Sequence, residues 1–282
     1  VRKFHDRVAV ITGGASGLGR ALAERFAREG VRLMLADIDA QALAQTAAEL
    51  RAGGATVAAQ RTDVSQAADV EALARATLDA YGAVHIVCNN AGVAPLGAVW
   101  ENTTADWTWA LGVNVWGVIH GVRVFAPLLI EQGGEGHIVN TASVAGLISP
   151  PGMGLYNVTK HAVVALSESL HHDLVRAKSQ VRCSVVCPAY FASGIADSAR
   201  HRPTELTNTE GESVHQRALQ AKLRKAVESG KLSAADIAEA VFAAIRDERF
   251  YVLTHRAILP AIEARMRDIL DGRPPTDPLG GR

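Results

Sequence analysis

A short apolar strand, Val8-Ala-Val-Ile11, runs into the turn Thr12-Gly-Gly-Ala-Ser-Gly-Leu-Gly19 and then into a helix from Leu18 to Arg28, with Leu22 and Phe26 facing inward. A glycine-rich turn between a first strand and a helix turns backbone N–H groups toward a pyrophosphate, which commits the start of a chain to an α/β fold. The expected contacts are Gly13, Ser16, Gly17, Leu18 and Gly19. Their spacing is Gly-x3-Gly-x-Gly rather than the commoner Gly-x-Gly-x2-Gly, and a plain tight turn is the competing reading.

The chain then alternates. Strand Val31–Ala36, helix Ala40–Ala52, strand Thr56–Gln60, helix Ala67–Ala80 and strand Val84–Cys88 follow one another with short connections. That order predicts a parallel sheet, doubly wound, with helices on both faces. Asp37 closes the second strand, about eighteen residues after Gly19. A carboxylate there can bond an adenosine ribose and repel a 2′-phosphate, which favours NAD over NADP. A solvated loop aspartate is the alternative, and Arg20 is a nearby cation that could alter the preference. Asp63-Val64 ends the third strand as an adenine contact, and Asn89-Asn90-Ala91-Gly92 ends the fourth, where the two amides can tie loops together. A helical region, Thr104 to Leu129, holds Trp107, Trp109, Trp116 and the polar Asn114, with Gly117 and Gly121 placed to admit another helix.

An apolar run from His137 forms the next strand and delivers Ser143 at its end. The Gly/Pro-rich stretch Ser149–Gly154 is a loop, and Tyr156–Ala177 has helical spacing. Tyr156 and Lys160, four apart, share one face near that helix's start. An ammonium beside a phenol stabilises the phenolate and lowers its pKa, while a hydroxyl from Ser143 can hold the oxygen of an alcohol or carbonyl. Tyr-x3-Lys alone is common on helices and proves nothing. Strand Val181–Val186 leads to Cys187-Pro-Ala-Tyr-Phe, and the polar stretch Ala196–Gly230 has the composition of a lid. Helix Ala234–Arg246, strand Phe250–Thr254 and helix Ala257–Leu270 complete one domain, residues 1–272, with 190–230 as substrate loop. The proline- and glycine-bearing tail 273–282 is expected to be flexible.

Composition narrows the partners. Lys+Arg and Asp+Glu are both 29, a balance that argues against nucleic acid or an anionic membrane. The most apolar window, Val115–Ile130, is interrupted by His120 and Arg123, so no membrane helix is expected, and Val1–Arg7 lacks the core of a secretory leader. Cys88, Cys183 and Cys187 fall in or beside strands, and the last two lie roughly 13 Å apart if extended, too far for a disulfide. Reduced thiols, a cytoplasmic location and no metal site are the expectation. His171-His172 lies too far along its helix to serve the Tyr156 site.

Together these motifs resemble the short-chain dehydrogenase/reductase family over nearly the whole chain. Thr-Gly-x3-Gly-x-Gly at 12–19, Asp63, Asn-Asn-Ala-Gly at 89–92, Asn114, Ser143 and Tyr156-x3-Lys160 stand in the family's order and spacing. The resemblance implies a Rossmann-type sheet of about seven strands, nicotinamide-dependent hydride transfer, and Tyr156 as general acid/base. It further implies that Lys160 binds the nicotinamide ribose, that Asn114 holds a water linking Lys160 to solvent, and that the enzyme is a homotetramer or dimer. Pro188 and Ser193 fall on the family's nicotinamide loop, but Ala189 replaces its usual glycine, which puts that loop's geometry in question. The run from Pro188 to Pro203 also looks like bacterial dehydrogenases that oxidise benzylic alcohols of aryl ethers. The expected substrate is therefore a hydrophobic or aryl secondary alcohol, with Ala94–Leu96, Val144–Gly154 and Tyr190–Arg202 forming its pocket. Trp100, Met153, Leu155, Tyr190 and Phe191 are the candidates for its apolar lining, with ordinary core packing as an equal reading of most of them. The alternatives are an NADPH-dependent carbonyl or ketoacyl-thioester reductase, and a catalytically idle nucleotide sensor.

Overall fold

A computed structural model describes residues 1–280. Strands β1 (Val8–Thr12), β2 (Arg32–Asp37), β3 (Val57–Arg61), β4 (Ile86–Asn89), β5 (Gly136–Thr141), β6 (Val181–Val186) and β7 (Tyr251–Val252) form one sheet. Its seven strands are ordered β3-β2-β1-β4-β5-β6-β7, and every pairing is parallel. The helices are α1 (Gly17–Ala27), α2 (Ala40–Ala52), α3 (Ala67–Tyr81), α4 (Thr104–Leu111), α5 (Gly117–Glu131), α6 (Gly154–Arg176), α7 (Val214–Glu228), α8 (Ala234–Arg246) and α9 (Leu259–Leu270).

The period-2 alternation of each strand divides the core into two layers. Ala9, Ile11, Leu33 and Leu35 pack with Leu22, Phe26, Val241 and Ile245 from α1 and α8. Val10, Met34 and Val87 face the other way, onto Leu73, Phe125, Leu129 and Leu170 from α3, α5 and α6. Strands buried on both sides read as continuous apolar runs for this reason. The order reverses between β1 and β4, which opens a crevice at the C-terminal ends of the strands.

Four features bear on the sequence expectation. The long helix at 104–129 is broken by a π-helical turn, Gly112–Trp116, which carries Asn114. The helical run 104–131 is by length and composition apolar enough to cross a membrane, but Val118, Phe125, Ala126 and Leu129 are buried within the fold. Gly117 and Gly121 admit no second helix: a Cβ on Gly121 would meet the Asn89 amide at 2.0 Å, and one on Gly117 would meet Val64 at 2.8 Å. They press the helix onto the ends of the strands instead. At the C-terminus, Asp268 accepts from the Thr276 amide at 2.8 Å, so residues 273–276 fold back against α9; residues 281–282 of the expected tail lie outside the described residues.

Candidate active site

The crevice is a cleft of about 870 Å³ with a mostly apolar wall. At its β1 end, Gly13 and Gly17 take positive φ, +66° and +52°, a conformation that disfavours other residues. A Cβ on Gly19 would lie 2.0 Å from the Gly13 carbonyl, so Gly19 lets α1 pack on the turn and does not itself line the cleft. Gly13, Ser16, Gly17 and Leu18 do line it, with Asp37, Asp63, Val64, Asn90, Ala91 and Gly92. The Asp37 carboxylate accepts from the Ala15 amide at 3.0 Å and the Asp39 amide at 3.1 Å. Arg20 is held by Glu24 at 2.9 Å and Glu49 at 2.8 Å, and it does not reach the cleft.

The paired asparagines divide their work. Asn89 donates to Asn140, which donates to Ser167, a buried tie between β4, β5 and α6. Asn90 donates its side-chain amide to the Thr12 carbonyl at 3.0 Å and accepts from the Thr141 hydroxyl at 3.3 Å, while lining the cleft. Asn114, fully buried, accepts from the Val93 amide at 2.8 Å and donates to the Val93 carbonyl at 2.9 Å and to Thr159 at 3.1 Å. Gly92 draws Asn114 and Lys160 together: a Cβ there would sit 3.4 Å from Asn114 Oδ1 and 3.6 Å from Lys160 Nζ.

Ser143, Tyr156 and Lys160 converge on the cleft. The Ser143 hydroxyl donates to the Pro188 carbonyl at 3.3 Å and accepts from the Ala145 amide at 3.2 Å. Lys160 donates to the Thr141 carbonyl at 2.9 Å, with Nζ 5.5 Å from the centre of the Tyr156 ring. The expected depression of the phenol pKa is absent in this arrangement. Burial pushes Tyr156 up to about 12, against a smaller lowering from Ser143. Burial also brings the Lys160 ammonium down to about 8. The cause is shared: both groups are desolvated, and the ammonium is turned to a carbonyl rather than to the phenol oxygen.

Ala189 needs no glycine-like backbone, since it is absent from the non-glycine residues with positive φ among the described residues. Its amide donates to His255 Nδ1 at 3.2 Å. Pro188, Ala189 and Ser193 line the cleft, and the buried Ser193 hydroxyl has no partner among the described residues. Of the apolar wall expected from sequence, Met153, Tyr190 and Phe191 are in place. Trp100 is 88 % exposed and outside the cleft, and Leu155 lies fully buried beside Trp109 in the core. Sequence reasoning missed Trp109, Leu223 and Val227 on the wall. Leu223 and Val227 were recognisable as an i, i+4 apolar pair in a polar segment; Trp109 carried no signal that separated it from its neighbours. The His171 and His172 rings lie 5.5 Å apart, with His171 packed on Phe250. No cluster of three metal-ligating side chains occurs among the described residues.

The chain matches the short chain dehydrogenase family over residues 7–204, and it belongs to that family. It is an oxidoreductase whose relatives are dehydrogenases. A short-chain dehydrogenase/reductase from Burkholderia phymatum, crystallised in complex with NAD, is 54% identical, with a TM-score of 0.98 over 99% of this chain and 100% of that one. A C alpha-dehydrogenase from Sphingobium is 33% identical over 100% of this chain and 92% of that protein. A 1-deoxy-11-beta-hydroxypentalenate dehydrogenase from Streptomyces exfoliatus is 35% identical over 95% and 88%.

Proposed function

We propose that this enzyme oxidises a hydrophobic or aryl secondary alcohol to its ketone, reversibly, with Tyr156 as general acid/base. The observation that carries the reading is the convergence of Ser143, Tyr156 and Lys160 in a mostly apolar cleft whose far end holds the Gly13–Leu18 turn and Asp37. The cofactor is NAD. The glycine turn suits a pyrophosphate, and the partnerless Ser193 hydroxyl suits a carboxamide. Asp37 sits where it accepts from a ribose and repels a 2′-phosphate, which disfavours the NADPH-dependent reductase.

In this reading Asp63 and Val64 flank the adenine, and Gly13, Ser16, Gly17 and Leu18 hold the phosphates, with Gly19 letting α1 pack close to them. Asn90, Ala91, Gly92, Tyr156 and Lys160 surround the nicotinamide ribose, and Pro188, Ala189 and Ser193 face the ring. NAD⁺, when bound, would supply the hydride acceptor and a positive charge favouring the Tyr156 phenolate. Ser143 releases the Pro188 carbonyl to hold the substrate oxygen, and Tyr156 takes the hydroxyl proton. Lys160 passes that proton to a water held by Asn114, which links it to solvent. One relative's name, a hydroxypentalenate dehydrogenase, agrees with a hydroxylated substrate. Three free buried thiols suit a reducing cytoplasm. The exposed Trp116 and Val158, beside and on the two long helices, suit a homo-oligomer.

The test is reduced-nicotinamide absorbance with NAD⁺ and NADP⁺ against benzylic, alicyclic and aliphatic secondary alcohols. Turnover with NAD⁺ is expected, falling about 10³-fold in Tyr156→Phe. Preference for NADP⁺ would remove the Asp37 argument, and tight NAD⁺ binding without turnover on any alcohol would favour the sensor.

A further inference from the structure

We propose that Arg200, carried by the substrate loop, is a ligand of the dinucleotide's pyrophosphate and reaches it from the rim opposite α1. This rests on the reading of the cleft as a dinucleotide site. Arg200 belongs to the 3-10 segment Gly194–His201 and lines the cleft. One Nη donates to the carbonyls of Gly194, at 3.4 Å, and Asp197, at 3.1 Å. Among the described residues the guanidinium has no carboxylate partner. A Cβ on Gly194 would lie 3.3 Å from the other Nη, and a Cβ on Gly17 would lie 3.6 Å from the Cβ of Ser193. Guanidinium, Ser193–Gly194 and the start of α1 are therefore successive neighbours across the cleft.

The other cations nearby are engaged. Arg202 is paired with Asp106, Arg224 with Asp197, and Arg20 with Glu24 and Glu49. Among the described residues, Lys160 and Arg200 are the lysine and arginine that line the cleft, and Lys160 is turned to the Thr141 carbonyl. Arg200 is thus a permanent cation with its charge uncommitted and donors to spare. A planar guanidinium fork matches phosphate oxygens. The loop around it is anchored independently: the Ser198 hydroxyl accepts from the Ala94 amide at 3.1 Å, and Gln220 donates to the Ala196 carbonyl.

Calorimetry on the full chain with ADP-ribose, which has the pyrophosphate but no nicotinamide, separates the sources of anion. Arg200→Gln should weaken ADP-ribose about tenfold, with Arg200→Lys between it and the parent, and the salt sensitivity of binding should shrink in Arg200→Gln. Unchanged ADP-ribose affinity in a folded Arg200→Gln overturns the assignment. If that variant instead raises KM only for alcohols bearing a carboxylate, the guanidinium serves a substrate anion. Failure of the parent protein to bind ADP-ribose would overturn the dinucleotide reading itself, and this proposal with it.

Discussion

Tyr156 and Lys160, four residues apart on α6, are both desolvated in the cleft. The phenol is held up at about 12 by burial, with Ser143 pulling it down, and the ammonium is held down at about 8 by burial. With Tyr156 as the general acid/base proposed above, alcohol oxidation uses the phenolate, and the reactive fraction of Tyr156 grows with pH throughout the accessible range. Ketone reduction uses the neutral phenol, which is the resting form at pH 7. The expected outcome is a kcat/KM for oxidation that climbs from pH 6 to 9, beside a reduction rate that stays level over the same range. In the proposed relay Lys160 passes the substrate proton onward, so Lys160→Met is expected to slow oxidation about 10²-fold and to change its dependence on pH. Parallel pH–rate profiles of parent and variant at saturating NAD⁺ would check this, and identical profiles would remove Lys160 from the acid/base role.

At the scale of elements, the segment after β6 is clasped to α4 by a buried ion pair. Arg202 lies 2.6 Å from the Asp106 carboxylate and also donates to the Leu206 carbonyl at 2.6 Å. Asn208 and the Thr103 amide complete the shell around Asp106, and the guanidinium stands 5.2 Å from the Trp109 ring. Asp106 also caps α4 through Thr103, so one carboxylate fixes both the helix start and the loop. Trp109 and Leu206 line the cleft on either side of it. Arg202→Ala leaves that carboxylate buried without its partner, at a cost on the order of 3 kcal/mol. We expect a lowered unfolding midpoint and a raised KM for the alcohol, with NAD⁺ affinity little changed, measured by thermal unfolding and initial rates. This clasp was not legible in the sequence, where Asp106 and Arg202 stand 96 positions apart with no pattern linking them. The π-helical turn was hidden as well, because Asn114 interrupts an apolar run without changing its helical period. Trp100 failed as a wall residue for a simpler reason. Apolarity says that a loop side chain could line a cleft, not which way the loop points it.

Across the whole molecule, the alternation of strands and helices made the sheet readable, since parallel strands buried on both faces leave apolar runs of β-branched residues. Ala40–Ala52, Val181–Val186 and Ala234–Arg246 lie where the spacing placed them. The cleft opens at the C-terminal strand ends, and the opposite edge carries a different kind of sensitivity. There His137 is fully buried, and its amide donates to the His85 carbonyl at 2.8 Å. The Ser184 hydroxyl gives its only proton to the Arg249 carbonyl at 2.5 Å, so His137 Nε2, 2.8 Å from that hydroxyl, must be the donor. Nδ1 then carries a lone pair, with no partner among the described residues. Burial brings the His137 pKa down to about 3, helped by the N-terminus and Arg182. Burial brings His85 down to about 4, helped by Arg7 and Arg32. Unfolding restores each imidazole to about 6.5, so below that pH the unfolded chain binds more protons than the folded one. The stability held by the neutral rings is therefore full above about pH 6.5 and is lost as pH falls toward 4 and 3. Urea midpoints should fall steeply from pH 7 to 5 in the parent and less steeply in His137→Gln, which starts lower at pH 7 through its disturbed bond to Ser184. Equal slopes in the two proteins would show that other groups govern the acid limit. Because this edge lies across the sheet from Tyr156, loss of activity below pH 6 should follow the fraction unfolded in addition to the falling phenolate population, and far-UV circular dichroism at each pH separates the two.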